Sequence, residues 1–333
     1  MNLTPKLLGL QNLSAVSPKD DTWRKRKRYA CRLARILEGT IEEKRGLRMN
    51  GCATRLGFRL IDQENGTQKL KLASAEFCRD PFCPTCVAGV SRARRRQVVQ
   101  GLPNVLAAIP GIRFIHLTLT IKNPKIRELR KTIKWMHKAF AEMMRDNRVC
   151  HLGYIRALEV TIGETGYDLC HPHFHILIAV PPEYFHKHKN LYLDNSQWSS
   201  LWTEKLGVDY SAHTSVSAIK KNSNISISNC IGEIVKYCTK PTDLLIDRSW
   251  TLEYMSQILS LKRITTAGVF REHLGVLDQD PTDLIGKDDE DNLSSTIVWF
   301  KWDWSSLDYV LDESYYKVSN TGAGFSSTKT PPD

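Results

Sequence analysis

His171, His173 and His175 alternate with apolar residues through Pro172–Val180. In an extended strand their imidazoles therefore share one face. A second extended segment, Tyr154–Gly163, puts Leu158, Val160 and Ile162 on its apolar face, so Glu159 belongs to the other. With the connecting loop centred on Tyr167, Glu159 falls opposite His175, and paired residues have Cβ atoms about 5 Å apart. A two-residue slip would keep the face and leave Glu159 near His173 or His175. His173, His175 and Glu159 then make a His₂-carboxylate set with positions left open for water and phosphate oxygens. That suits Mg²⁺ or Mn²⁺ acting as a Lewis acid, and it also fits zinc.

A second group lies in Ile231–Lys240. Glu233, Tyr237 and Lys240 fall at i, i+4 and i+7, on one face of a helix whose opposite face is Ile234, Val235 and Cys238. A tyrosine can act as a covalent nucleophile, a lysine can neutralise a phosphate, and a carboxylate can take a proton. The plain alternative is an amphipathic helix whose Glu233 and Tyr237 are surface neighbours. A third group is Cys78-Arg79-Asp80-Pro81-Phe82-Cys83-Pro84-Thr85-Cys86. Its C-x₂-C half is a metal knuckle, in which a tight turn brings two thiolates to one ion. Cys52 is the natural fourth zinc ligand, with Cys31 as the competitor.

The elements that must carry these groups read from periodicity. Ile112–Ile121 alternates, with Ile115, Leu117, Leu119 and Ile121 on one face and Phe114, His116, Thr118 and Thr120 on the other. Asn123 is expected to cap a helix with Pro124 at its first position, continuing through Ile126, Leu129, Ile133, Met136, Phe140 and Met143. The strands of Glu159 and His173 follow. A short helix capped by Asn195 and ended by Gly207 comes next, then a weaker strand His213–Ile219. A helix capped by Asn229 and stopped by Pro241 carries Tyr237, and another is expected around Trp250–Leu261. The first six elements, β-α-β-β-α-β, are the ferredoxin-like order, with two helices on one face of an antiparallel sheet. The expected fold class is α+β, and the histidine face is left for solvent, ligand or a further helix.

Composition narrows the partner. The 333 residues carry 47 Lys and Arg against 36 Asp and Glu, a net charge of +11, which points to a polyanion such as nucleic acid. The charge is clustered: Arg24, Lys25, Arg26, Lys27 and Arg28 are consecutive, Arg32 and Arg35 follow at helical spacing, and Arg92, Arg94, Arg95 and Arg96 form a second run. Both runs are expected to contact DNA phosphates. Acids concentrate instead in Asp278–Asp291. Nine cysteines, an odd number, argue for reduced thiols and metal rather than a disulfide framework. No apolar run reaches 18 residues and the N-terminus lacks a signal-peptide pattern, so no membrane partner is expected and the cytoplasm is the expected location.

His173-Phe174-His175 in a strand, followed by Tyr237-Cys238-Thr239-Lys240 on a later helix, resembles the HUH endonuclease superfamily. More closely, the chain resembles the plasmid rolling-circle replication initiator (Rep) family, in the branch with one catalytic tyrosine and a catalytic glutamate. The first motif of that family matches Phe114 to Thr120, the second His171 to His175, and the third Glu233 to Lys240. The resemblance spans roughly residues 110–240. It implies that the metal held by the histidine pair polarises the scissile phosphate, and that Tyr237 attacks to form a 5′-phosphotyrosine and frees a 3′-OH as primer. It also implies that Glu233 activates water for the terminating cleavage and that Lys240 binds phosphate. His171 would be an alternate ligand or a DNA contact. Implied partners are plasmid origin DNA, single-stranded or as a hairpin, and a host helicase and polymerase.

The expected organisation is a basic extension (1–50), a Cys-rich zinc module with a basic helix (51–100), an HUH nicking domain (110–276), an acidic linker (277–293), and a C-terminal tail (294–333) that is aromatic and then disordered. A transposase or relaxase of the same superfamily is the nearest other reading. A non-catalytic zinc-containing nucleic-acid-binding protein is the alternative in a different class.

Overall fold

The computed structural model describes residues 12–62, 68–163, 166, 168–219, 227, 230–232, 234, 240–275, 277, 281–285 and 297–312. Glu233, Tyr237, Cys238, Asn229, much of the acidic stretch and residues 313–333 lie outside the described residues.

The basic run folds as helix α1 (Asp21–Leu37), followed by α2 (Glu43–Gly51) and a strand pair, β1 (Arg55–Asp62) and β2 (Gln68–Ala75). Helix α3 (Pro84–Ala108) begins at the cysteine knuckle, with Cys83 as its N-cap and Pro84 at its first position, where the missing N–H costs nothing. The alternating segments then form β3 (Arg113–Thr120), β4 (Gly153–Ile162), β5 (Cys170–Val180), β6 (Thr214–Ala218) and β7 (Ile264–Gly268). Helices α4 (Leu129–Met143), α5 (Asn195–Leu206), α6 (Arg248–Ile258) and α7 (Val269–Leu274) are interspersed. The five strands lie in the order β6-β3-β5-β4-β7, every neighbouring pair antiparallel. The β3-α4-β4-β5-α5-β6 order is the one the periodicity predicts, in an α+β architecture.

The three central strands, β3, β4 and β5, divide their residues between two cores. Ile115, Leu117, Leu119, Leu158, Val160, Phe174, Ile176 and Ile178 pack beneath α4, α5 and α6. Phe114, Ile155, Ala157, Leu177 and Ala179 share the opposite face with Val98, Leu102 and Val105 of α3, Phe270 and Leu274 of α7, and the helical residues Ile227, Ile231 and Ile234. The histidine face is thus half covered: helices roof its apolar end, while at the other end His171 and His175 are half-buried and His173 is buried between them.

Three expectations are corrected. Asn123 does not cap α4. The Cys170 N–H donates to the Pro124 carbonyl and the Ile126 N–H to the Asp168 carbonyl, which holds 124–126 against the start of β5. The helix therefore begins only at Leu129, after the 3₁₀ turn Ile126–Glu128. Helix α5 is capped by Asp194 rather than Asn195, through a reciprocal pair with Gln197, and it ends, as expected, at Gly207 (φ 66°).

The aromatic C-terminal segment is not a separate tail. It forms β8 (Ile297–Asp303) and β9 (Asp308–Leu311), and β8 pairs antiparallel with β1 to give the sheet order β2-β1-β8-β9. Val298, Phe300, Trp302 and Tyr309 are buried there, each worth about 1.5–3 kcal/mol against exposure. The Tyr309 hydroxyl donates to the Ala53 carbonyl at 2.6 Å. Helix α1 and the β8–β9 hairpin, from the first and last described segments, therefore close one module around the cysteines. Of the acidic stretch, the described Leu284 is buried, and Arg79 donates to the Pro281 and Thr282 carbonyls. Among the described residues no helix is long and apolar enough to cross a membrane.

Candidate functional site

Glu159 stands directly opposite His173, two residues from the expected pairing with His175, because the β4–β5 turn centres on residue 166. The slip preserves the face, and the Glu159 Oε2 lies 3.2 Å from His173 Nε2 and 3.0 Å from His175 Nε2. One ligand atom from each of the three lies within 4.8 Å of the others.

The far nitrogens of the two rings are held. His173 Nδ1 sits 3.1 Å from the His171 carbonyl, which can only accept, so Nδ1 carries the proton. A neutral His173 then turns a bare Nε2 toward a carboxylate oxygen. Two acceptors at that distance need a cation between them, either a proton or a metal. His175 Nδ1 lies 3.4 Å from Thr118 Oγ1 on β3, an outer contact of the kind that orients metal-ligating imidazoles. Burial alone would push the Glu159 carboxyl up, but hydrogen bonds and charge from His173 and His175 overcome it and hold the group well below the carboxylate range. The donor set fits a divalent cation with open positions. If Glu159 is a ligand, Glu159→Ala should raise the divalent concentration needed for any metal-dependent activity by at least about tenfold, the lower end for loss of even an outer partner. A metal titration unchanged from wild type would refute this.

His171 is not in this triad. Its Nδ1 meets Asn123 Oδ1 at 2.6 Å, and its ring lies 5.1 Å from that of His173. His116 stacks on His175 with centroids 5.6 Å apart. Asn123, Thr118 and His116 were missed as site residues. The β3 alternation places Thr118 and His116 on the correct face, but only the β3–β5 register brings them to His175.

Cys52, Cys78, Cys83 and Cys86 converge, their sulfurs within 4.8 Å of one another. Cys86 Sγ is 3.5 Å from Cys52 Sγ and 3.6 Å from Cys78 Sγ. Four thiolates around zinc at about 2.3 Å stand about 3.8 Å apart, so the spacing fits a tetrahedral ion. Cys31 is buried but outside the group. Hydrogen bonding to Cys52 and Cys78 pushes Cys83 and Cys86 well above the thiol range.

The basic clusters divide. Lys27 is fully buried, its Nζ donating to the Asn50 and Cys52 carbonyls at 2.6 Å each, so it is not available to a phosphate. Burial pushes it down, and the nearby cysteines push it back up. Arg94 is also buried, with Nε on the Leu277 carbonyl. Arg24 bridges Asp21 and Asp308, while Arg26 and Arg92 stack on Trp23 at 5.9 and 5.1 Å. Lys25, Arg28 and Arg95 are exposed and Arg96 half-buried. Arg95 reaches the helical segment ahead of Tyr237: a Cβ on Gly232 would lie 3.9 Å from its guanidinium carbon. Lys240 is exposed. Glu233 and Tyr237 lie outside the described residues.

A family model described as Replication protein matches residues 69–310 of this chain. The chain is 31% identical over 310 residues to a "Protein rep" of Lactiplantibacillus plantarum, covering 87% of this chain and 95% of that protein. It is 30% identical over 302 residues to a "Protein rep" of Streptococcus pneumoniae, covering 88% and 92%. To a "Protein rep" of Staphylococcus aureus it is 33% identical over 206 residues, covering 60% and 84%. No solved structure matches it significantly.

Proposed function

The chain belongs to the replication-protein family of plasmid initiators, and from that membership we propose that it nicks and rejoins one strand of its plasmid origin through a phosphotyrosine on Tyr237. The observation that carries the reading is the Glu159 carboxylate shared by His173 and His175 on the face of an antiparallel sheet, an HUH-type centre. A divalent cation held by these three residues, Mg²⁺ or Mn²⁺, would polarise the scissile phosphate.

The chain's own groups do the rest. The Tyr237 oxygen attacks phosphorus, losing its proton. The bond to the 3′ oxygen breaks, and that oxygen leaves as a 3′-OH that primes synthesis by host polymerase behind a host helicase. The DNA stays linked by its 5′ phosphate to Tyr237. Lys240 and Arg95 supply positive charge to the phosphate. Cys52, Cys78, Cys83 and Cys86 would hold a zinc ion in a structural role, which would fix the start of α3, the helix that carries Arg95. The site acts on DNA in the cytoplasm, and Lys25, Arg28 and Arg96 contact its backbone.

Supercoiled plasmid carrying the cognate origin, incubated with the protein and Mg²⁺ or Mn²⁺, should be relaxed and should retain protein. Digestion and mass spectrometry should then find a nucleotide on the Tyr237 peptide. Plasmid that is bound but neither relaxed nor linked would favour a non-catalytic DNA-binding protein.

Glu233 has a separate role. Its spacing of four residues before Tyr237 corresponds to one turn of a helix, which would bring both side chains to the same phosphate, and after the first nick Tyr237 is esterified. Ending the round needs a second nucleophile, and a carboxylate there can deprotonate water. Glu233→Ala should still nick and form the adduct but fail to release it, so that multimeric single strands accumulate in an in vitro replication assay. Loss of the first nick would instead make Glu233 an orienter of Tyr237.

A further inference from the structure

Four exposed cations lie along one stripe of α1: Lys25, which also pairs with Asp21, then Arg28, Arg32 and Arg35. Spacings of three and four keep them on one helical face. Beside the stripe, the β8–β9 turn presents Trp304, 51% exposed, and Leu307, 37% exposed. Arg28 Nε donates to the Leu307 carbonyl at 2.9 Å, tying turn to helix. The turn is rigidly made: the Asp303 carboxylate accepts from Ser305 Oγ and from both the N–H and Oγ of Ser306 at 2.6–2.8 Å. The Trp304 ring rests 5.5 Å from the buried Lys27 ammonium and 6.3 Å from Trp302. Between α1, α2 and this turn opens a cleft of about 340 Å³, lined by Arg35, Leu47, Asn50, Trp304 and Leu307 and by the two acidic residues Glu38 and Glu43. Leu47 is itself 66% exposed. A part-exposed indole fixed in an apolar cleft beside four cations is a surface built for contact.

We propose that this cleft takes an unpaired nucleobase of the bound DNA strand, stacked on Trp304, while the flanking phosphates run along Lys25, Arg28, Arg32 and Arg35. Every base has a π face, so an exposed aromatic beside a cationic track binds single strands. The two acids decide which part of the nucleotide enters. They repel a phosphate but accept from an exocyclic amine, as acidic side chains do from cytosine. The cleft therefore prefers cytosine or adenine to thymine. None of the nicking residues is used, and the inference rests on the reading of the chain as a DNA-binding initiator.

The test uses the full-length protein and single-stranded oligonucleotides of dC, dT or dC with abasic positions. Wild type should bind dC more tightly than dT or the abasic strand. Trp304→Ala should lose about tenfold in affinity for dC, the scale of one stacked base, with an unchanged salt slope. Arg32→Ala with Arg35→Ala should instead flatten the slope by roughly 1.4, at about 0.7 per single-strand phosphate. Trp304→Phe should keep most of the affinity, and a photoreactive iodocytosine strand should crosslink wild type at Trp304, both independently of how well the alanine variant folds. Equal binding of all three strands with no crosslink at Trp304 would overturn the proposal. Wild type that binds no DNA would overturn the initiator reading itself, whereas wild type that relaxes plasmid but ignores base identity would remove only the cleft.

Discussion

Tyr237→Phe is expected to abolish plasmid relaxation and the covalent protein–DNA product while leaving origin binding near the wild-type level. The substitution removes one oxygen, keeps the ring and changes no charge. If that oxygen is the nucleophile, no adduct can form, because phenylalanine offers no atom to bond phosphorus. The exposed charges of Lys240 and Arg95 persist, so the salt dependence of binding should persist with them. The Glu159, His173 and His175 set lies on β4 and β5 and is left unaltered by the substitution, so the divalent ion should still bind but cannot replace the missing nucleophile. Denaturing gels with end-labelled strands read adduct and cleavage together, and a salt titration reads binding. An adduct at normal yield would move the nucleophile to another residue. Loss of binding in parallel with cleavage would show that the tyrosine positions DNA rather than attacking it.

How much of this was legible in the sequence follows from the range of each signal. A period of two is local, so the faces of β3, β4 and β5 were readable, and with them the meeting of Glu159 with the histidine pair. The exact register was not, because it depends on where the β4–β5 turn centres. A one-residue shift of the centre, from 167 to 166, moves the pairing by two and leaves the face unchanged. The cysteine quartet was legible because three ligands lie within nine residues and a fourth thiol was needed. Lys27 was misread for an instructive reason. Within five consecutive cations it looks like surface, yet Trp23, Lys27, Ala30 and Leu37 follow the buried spacing of α1, a pattern that a helical projection of the run would have exposed. The return of β8 and β9 to β1 had no local signal. It pairs Phe58 with Val298 across 240 residues, a separation over which neither alternation nor composition specifies a partner, so the aromatic run read as a tail.

The cysteine quartet carries the other large effect. Purified without chelator, the protein should hold about one tightly bound zinc per chain, and Cys83→Ser should lose it. Cys83 is fully buried, caps α3 and supplies one of four converging sulfurs. A serine oxygen is a poor zinc donor and leaves a polar hydroxyl in the sulfur pocket. Structural zinc contributes about 10–16 kcal/mol of apparent binding energy in small modules, more than the roughly 5–15 kcal/mol by which whole domains are stable. Losing even part of it should melt the module. The fold says which parts go together: Lys27 is bonded to the carbonyl of Cys52 in the quartet, and Tyr309 to that of the next residue, Ala53. Helix α1 and the C-terminal hairpin should therefore loosen with the cluster. Helix α3 runs from the cysteines to Val98, Leu102 and Val105 above the histidine sheet, so nicking should fall even though no residue of the sheet has changed. Cys31→Ser is the matched control: a buried thiol outside the quartet, whose loss should leave zinc content intact. Because zinc takes thiolates whereas free thiols are mostly protonated at neutral pH, zinc loading should also release protons, measurable in weak buffer. Full zinc content in Cys83→Ser, or equal loss in Cys31→Ser, would break the assignment of ligands.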